Sequence, residues 1–415
     1  MKKYWKGIRL NRREFLRKSA LTGLGAALFP LTAAARPREP SNVEVRRYVP
    51  LGRTGIKMSD ISFGSSRLDA GEESIVLHAL DRGINYFDTA ESYSGSDSET
   101  TIGNALRGKR DKVTIASKVV TGSSERKESM MGALEGSLRR LRTDYVDVYF
   151  NHAVNNVERL KNPEWHEFTE RAKRQGKIRF RGMSGHAGRL IECLDYALDT
   201  GSVDVILVAH NFGQDSAFYE RLTRSFDFIA RQPDLPRVLQ KAKSKGVGVI
   251  AMKTLMGARL NDMRPFEKDG ATFAQAAFRW VLSNPHVDSL VISMTSPGLI
   301  DEYMGASGWQ SSARGDLSLL QRYARMNGTS YCRHACNDCE SACPYGVPIA
   351  DVLRTRMYAK DYGDMKLARS EYGTLGAGAS ACLTCTDQPC VGACTYGLPI
   401  EKLLAPTHRM LTKRG

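Results

Sequence analysis

With 415 residues, 42% of them hydrophobic and 25% charged, the chain can bury a full core and shows no compositional sign of disorder, and it exceeds one average domain in length. Its formal charge of +15 is uneven: residues 1–35 hold eight Lys and Arg against one Glu, and the remaining basic residues are scattered among acidic ones, which excludes a nucleic-acid-binding stripe. Eight of the nine cysteines fall in the last 85 residues, and Cys193 alone lies elsewhere.

The N-terminus runs from a basic stretch through Asn11-Arg12-Arg13-Glu14-Phe15-Leu16-Arg17-Lys18 into an apolar run, Ser19 to Ala33, and closes on Ala33-Ala34-Ala35. Basic, apolar and small-residue regions in that order form a signal peptide, and the apolar run is shorter than the ~20 residues of a membrane span. The paired arginines followed by Phe-Leu resemble the twin-arginine export signal. The resemblance implies a protein exported already folded, to the periplasm or another extracytoplasmic space, that touches the membrane only through residues 1–35 if they are not cleaved.

From residue 61 short apolar, β-branched runs alternate with helical stretches. Eight strands are predicted: Ile61 to Ser66, Ile84 to Ala90, Val113 to Val119, Val146 to Ala153, Ile178 to Ser184, Val203 to Asn211, Val247 to Thr254 and Val287 to Met294. Between them Met130, Leu134, Leu138 and Leu141 show three- and four-residue spacing, and Gly83, Gly176, Gly201 and Gly246 stand where helices end before strands. Eight βα units in one run predict a closed (β/α)8 TIM barrel over residues 46–305. No GxGxxG follows the first strand, so a Rossmann domain has no support. Arg46 to Asp60 reads as a hairpin that plugs the barrel bottom. The long connection Phe212 to Asp234, with five aromatic residues, is a candidate lid over the active face.

Active residues of such barrels sit at the C-terminal strand ends. Asp88 closes strand two with Tyr93 five residues on, Lys118 closes strand three, and His152 closes strand four. A phenol is a weak acid at neutral pH; a lysine held by a carboxylate would lower it, and an imidazole would orient a carbonyl oxygen. Each residue alone is more simply structural, but their order and spacing form a proton-donating set. Leu51-Gly52-Arg53-Thr54-Gly55, Phe87-Asp88-Thr89-Ala90-Glu91-Ser92-Tyr93, Lys118 and Asn151-His152 resemble the aldo-keto reductase family. The resemblance implies that Asp88, Tyr93, Lys118 and His152 are its catalytic tetrad and that an extended nicotinamide dinucleotide lies across the same rim. Ser184, Asn211 and Ser293 are the matching cofactor-binding positions. Leu207 and Met252 stand where the family often has Gln and a stacking Tyr. After strand eight, Ile292 to Gly298 offers no cation to a 2′-phosphate.

Cys332, Cys336, Cys339 and Cys343 read C-x3-C-x2-C-x3-C, and Cys382, Cys385, Cys390 and Cys394 read C-x2-C-x4-C-x3-C. Each run ends in a repeat, Cys343-Pro344-Tyr345-Gly346-Val347-Pro348-Ile349 and Cys394-Thr395-Tyr396-Gly397-Leu398-Pro399-Ile400. The runs resemble the bacterial ferredoxin arrangement, in which three cysteines of one run and the last of the other ligate each [4Fe–4S] cube. A ferredoxin-like domain over 329–405, joined by a linker or helix over 306–328, would hold two clusters. Structural zinc and four disulfides are the rival readings. Zinc sites seldom spend four cysteines within twelve residues on one ion, and the barrel already supplies a core. Cys193 reads as a buried apolar residue in a helix.

The resulting expectation is an exported oxidoreductase acting on a small carbonyl-type substrate, with electrons relayed through two clusters from a redox partner protein. Nicotinamide-dependent carbonyl reduction with structural clusters, and a non-catalytic electron-transfer or maturation partner, are the alternatives. Nucleic acid is not an expected partner.

Overall fold

The computed structural model describes residues 43–415 except 187–188, 213–233, 256–262, 268–270, 328–331, 333–337, 361–364, 396 and 413–415. The leader and all but the two ends of the 212–234 connection lie outside the described residues.

Two short strands, β1 (Tyr48–Pro50) and β2 (Lys57–Ser59), form an antiparallel hairpin. Eight parallel strands follow: β3 (Ile61–Gly64), β4 (Tyr86–Asp88), β5 (Thr114–Val119), β6 (Val146–Asn151), β7 (Ile178–Gly185), β8 (Val205–Ala209), β9 (Gly248–Met252) and β10 (Ser289–Ser293). They close in the order β10-β3-β4-β5-β6-β7-β8-β9, each next to its sequence neighbour. Strands β5 and β6 are buried along their whole length, as strands covered on both faces must be. The turns into strands use Gly83, Gly176, Gly201 and Gly246 at φ between 62° and 87°, where a side chain would strain the backbone.

Inside the barrel Tyr86, Ala116, Val148, Phe150, Val205, Leu207, Ile250 and Val291 pack against Val49, Leu51, Ile56 and Met58 of the hairpin. At about 1.5–3 kcal/mol per buried large apolar side chain, this plug is part of the core. It sits so close that a Cβ on Gly52 would lie 2.4 Å from the Gly248 nitrogen. Helices cover the outside. Pro163–Arg174 is capped by Asn162, whose Oδ1 accepts from the Glu164 N–H at 3.0 Å, and buries Trp165, Phe168 and Ala172 at helical spacing. Phe273–Leu282 starts at a Thr272/Gln275 capping box, an N-terminus worth about 1 kcal/mol.

The C-terminal region follows the helix Arg314–Asn327. The repeat noted in the sequence is also a repeat in structure. Gly346 and Gly397, at φ 60° and 62°, each donate N–H to the carbonyl three residues back, Cys343 and Cys394. Three residues on, the helices Ile349–Lys360 and Ile400–Thr412 begin. With Met365–Gly373 between them, these helices share a core of Ile349, Val352, Leu353, Ala368, Tyr372, Ile400, Leu404 and Leu411, which includes buried Cys339 and Cys390. Among the described residues this region is helical and contains no strand, so its likeness to ferredoxins lies in the cysteine spacing. Among the described residues, too, no helix is long and apolar enough to cross a membrane.

Candidate active site

A cavity of about 360 Å³ opens at the C-terminal ends of the strands, within the range of small-molecule sites. Asp88, Tyr93, Lys118, His152, Ser184 and Ser293 all line it. Asn211 does not reach it; its Nδ2 donates to the Lys253 carbonyl at 3.1 Å and braces the segment after β9.

Lys118 has no side-chain exposure, and its Nζ donates to Asp88 Oδ2 and to the Thr89 carbonyl, both at 2.6 Å. Burial pushes the ammonium down and the carboxyl up, and their pairing opposes both shifts. The Lys118 Nζ stands 4.9 Å from the Tyr93 ring centroid. The expected lowering of the Tyr93 phenol does not occur in the resting site. Burial, then the Asp88 and Glu371 carboxylates and the Tyr358 phenol, push it well above the ordinary value, so it stays protonated and able to donate. The His152 ring meets Tyr93 edge-on, with centroids 5.5 Å apart. Burial, reinforced by Lys118, holds its imidazole down to about 3, so it is neutral at working pH. Its Nδ1 is buried without a partner. The strand holds His152 through its N–H to the Val119 carbonyl at 2.8 Å, and Arg159 Nη2 donates to its carbonyl at 2.7 Å.

The backbone around the cavity is strained. Of six non-glycine residues at positive φ among the described residues, four flank it: Ser94 at 48° and Ser96 at 81° in the Tyr93 turn, Ala153 at 52° after His152, and Lys253 at 57° after β9. Each costs about 1–3 kcal/mol, and such strain concentrates at functional sites.

Three residues of the C-terminal helices complete the cavity: Met357, Tyr358 and Glu371. The Lys253 ammonium donates to the Tyr358 hydroxyl oxygen. Arg354 Nη1 donates to the same oxygen at 3.2 Å and to Glu371 Oε2 at 2.9 Å. Arg354 keeps 6% side-chain exposure and Glu371 15%. Burial would raise the Tyr358 phenol, but Lys253 and Arg354 together bring it below its ordinary value. For Glu371, too, burial acts upward and is outweighed by Arg354, with Lys253 adding to it, so the carboxylate is held down. Sequence reasoning missed all of these. Lys253 follows the end of a barrel strand and could have been read there; Tyr358 and Glu371 carry no local signal.

The residue after Glu371 faces the cysteines. The Tyr372 hydroxyl pairs with His408 Nδ1 at 2.7 Å and accepts the Ala379 N–H at 2.8 Å, and Cys382 is close enough to help burial raise its phenol. Burial, with Cys343, Cys390 and Cys385 nearby, pushes the Cys382 thiol up to about 11. The last cysteine of the first run therefore lies beside three of the second. No disulfide joins Cys343, Cys382, Cys385, Cys390 or Cys394.

Cys332 is half-buried against the C-terminal core, and Cys339 is buried within it. Cys336 lies outside the described residues. Among the described residues no group of three His, Cys, Asp or Glu is placed to hold a single metal ion. Cys193 is buried in the helix Leu190–Asp199, its thiol raised to about 11 by burial.

This barrel and rim have counterparts. The model of the aldo/keto reductase family matches residues 61–267. An uncharacterized oxidoreductase of Bacillus subtilis is 30% identical over 237 residues, covering 51% of this chain and 68% of its own. The chain belongs to the aldo/keto reductase family. It is accordingly an oxidoreductase. The L-galactose dehydrogenase of Arabidopsis thaliana is 27% identical over 296 residues, covering 62% of this chain and 86% of its own. Among solved structures, the holo form of an aldo-keto reductase from Bacillus halodurans aligns with a TM-score of 0.53 at 21% identity, covering 66% of this chain and 95% of its own. An aldo/keto reductase from Klebsiella pneumoniae, solved with NADP and acetate, gives 0.52 at 24% identity over 66% and 94%. At these identities the two structures show the shared fold. Met357, Tyr358 and Glu371 all fall outside the part of the chain that the aldo/keto reductase model matches.

Proposed function

We propose that this aldo/keto reductase interconverts a carbonyl and an alcohol in the barrel cavity and exchanges electrons through iron–sulfur clusters held by the C-terminal cysteines, after export directed by its leader. The observation that carries the reading is a single helix end: Glu371 lines the cavity with Tyr93 and His152, and Tyr372, its neighbour, lies beside Cys382. The two chemistries are one residue apart.

The residues divide the work. The protonated Tyr93 hydroxyl donates its proton to the carbonyl oxygen as that oxygen gains charge, and neutral His152 orients the same oxygen. Lys118, fixed by Asp88, stabilises the phenolate that Tyr93 becomes. In the reverse direction Tyr93 takes the proton back from the alcohol.

The donor chemistry suits two groups. Cys343, Cys382, Cys385 and Cys390 form a set of soft sulfur donors of the kind an iron–sulfur cube takes. Ser184, Met252, Ser293 and Arg67 line the cavity and offer hydroxyls, an apolar face and a cation to a nicotinamide and a phosphate. A bound nicotinamide supplies a hydride, and bound clusters supply single electrons.

Anaerobic purification followed by metal and sulfide analysis tests this reading. The expected result is about eight iron and eight labile sulfide per chain, from two four-cysteine sets. Stoichiometric zinc without sulfide would sink it. Export is tested by changing Arg12 and Arg13 to Lys, which should block passage across the membrane.

A further inference from the structure

The His152 ring has a buried Nδ1 without a partner, so on that side its place in the cavity is set by packing against Tyr93 and by the backbone that carries it. That backbone is not self-supporting. Ala153, the next residue, sits at φ 52°, in the left-handed region that is costly for a residue with a Cβ. Neighbours hold the turn from two sides. On one, Ser184 Oγ accepts the Ala153 N–H at 2.9 Å, and the Ser184 carbonyl accepts the Val154 N–H at 2.7 Å. On the other stands Arg159.

Arg159 lies seven residues after His152, on the short helix Glu158–Lys161, which is anchored by buried Leu160. The chain folds back there, and the guanidinium meets oxygens of three successive residues. Nη2 donates to Asn151 Oδ1 and to the His152 carbonyl, both at 2.7 Å, and Nη1 donates to the Ala153 carbonyl at 2.9 Å. One planar fork thus grips the residue before His152, His152 itself and the strained residue after it. The single nitrogen of a lysine cannot span those oxygens in fixed directions. Burial lowers this guanidinium to about 10, and no carboxylate among the described residues offsets that burial. Buried charges ordinarily have a charged partner; this one has the oxygens of a single turn.

We infer that Arg159 is a positioning residue: its guanidinium fixes the turn after β6 and, through that turn, the place of the His152 ring at the reacting carbonyl. The inference rests on the carbonyl chemistry proposed above. Arg159 does not line the cavity, so it acts through His152 and not on the ligand. Small displacements of an orienting group are costly, because catalysis depends on holding the reacting atoms in line.

The test pairs Arg159→Met, which removes fork and charge, with Arg159→Lys, which keeps the charge and loses the fork. The cluster-loaded, anaerobically purified protein is assayed with benzaldehyde as the probe carbonyl and a reduced nicotinamide or a reduced viologen as donor. On that assay kcat/KM should fall at least about tenfold in Arg159→Met and at least about threefold in Arg159→Lys. In a His152→Gln background each change should cost less than about twofold more, since a residue that acts through His152 has nothing left to position. An arginine that only braces the fold would add its full effect there. A second readout needs no turnover. With isotope-labelled histidine, and His152 assigned by the loss of its signal in His152→Gln, the His152 ring resonance should shift or broaden in both Arg159 variants, while that of His210, beyond β8, stays in place. Additive losses, parent-like kcat/KM in both variants, or an unmoved His152 resonance overturns the inference. Failure of the parent to turn over the aldehyde with either donor overturns the carbonyl reading, and the ring resonance then decides by itself whether Arg159 places His152.

Discussion

The two walls of the cavity are built around the same device and reached by different routes. Each has a buried ion pair, Lys118–Asp88 at 2.6 Å on the barrel side and Arg354–Glu371 at 2.9 Å on the C-terminal side. In the first, lysine and aspartate come from adjacent parallel strands in fixed register, where Asp88 pairs with Ala116 and Lys118 with Phe150. In the second, Arg354 and Glu371 come from two helices outside the matched family region and reach the cavity only through tertiary packing. A barrel rim can thus keep its own residues while a separate part of the chain completes the cavity wall.

The sharpest way to break this comparison is at the proton. Tyr93→Phe should lower turnover by about 10²–10⁴-fold, the usual worth of a positioned acid, and Lys118→Met should lower it by at least about 10²-fold. Combined, they should be little worse than either alone, because without the phenol there is no proton for Lys118 to influence. Parent-rate turnover by Tyr93→Phe, with chemistry shown to be rate-limiting, would move the acid to the other wall.

Next in size is the cost of stranding a charge. Lys118→Met leaves Asp88 buried alone, and denaturant unfolding should show a loss of about 3–5 kcal/mol. Arg354→Met should cost less, because Glu371 retains 15% side-chain exposure and can be wetted through the cavity. Equal losses would mean that the C-terminal wall is as dry as the barrel wall.

Acid separates the walls further. In the folded protein burial holds His152 at about 3 and His210 at about 4, whereas in the unfolded chain both titrate at about 6.5. The unfolded chain therefore binds more protons between those values. The stability of these neutral histidines is fully present above pH 6.5 and is lost as pH falls toward 4. Unfolding midpoints from pH 7.5 to 4.5 should decline less steeply in His152→Gln than in the parent; identical slopes would refute the assignment.

The smallest expected effect concerns the adenosine end of a dinucleotide. The segment after β10 brings Ser293, Thr295 and Leu299 to the cavity but no cation. A direct titration should find NADP and NAD bound within a few-fold of each other, since a 2′-phosphate gains no partner there. Strong NADPH selectivity would place a cation from elsewhere over that site.

How far the sequence could be read follows the same division. Each predicted strand meets an observed one, because strands buried on both faces must be apolar runs, and glycines at positive φ mark the turns between them. That Asp88, Tyr93, Lys118 and His152 meet at one rim was legible because strand ends place them. Asn211 was misplaced by the same rule: it follows β8, but its side chain turns back to hold the Lys253 carbonyl. The net rise of the Tyr93 phenol was out of reach because a sequence does not show how thoroughly a phenol is buried. Cysteine spacing leaves open which sulfurs of the two runs face one another; the structure sets Cys343 beside Cys382 and Cys390. Tyr358 and Glu371 were out of reach. They lie on helices whose pattern reports their own small core, and nothing in that pattern shows which outward residue meets the barrel.

The hairpin plug has a consequence for traffic. With Leu51 and Met58 filling the bottom of the barrel, the cavity is, among the described residues, a blind pocket that opens at the strand C-termini, where the C-terminal helices stand. Substrate and product must use that mouth in turn. Product should therefore compete directly with substrate for the resting enzyme.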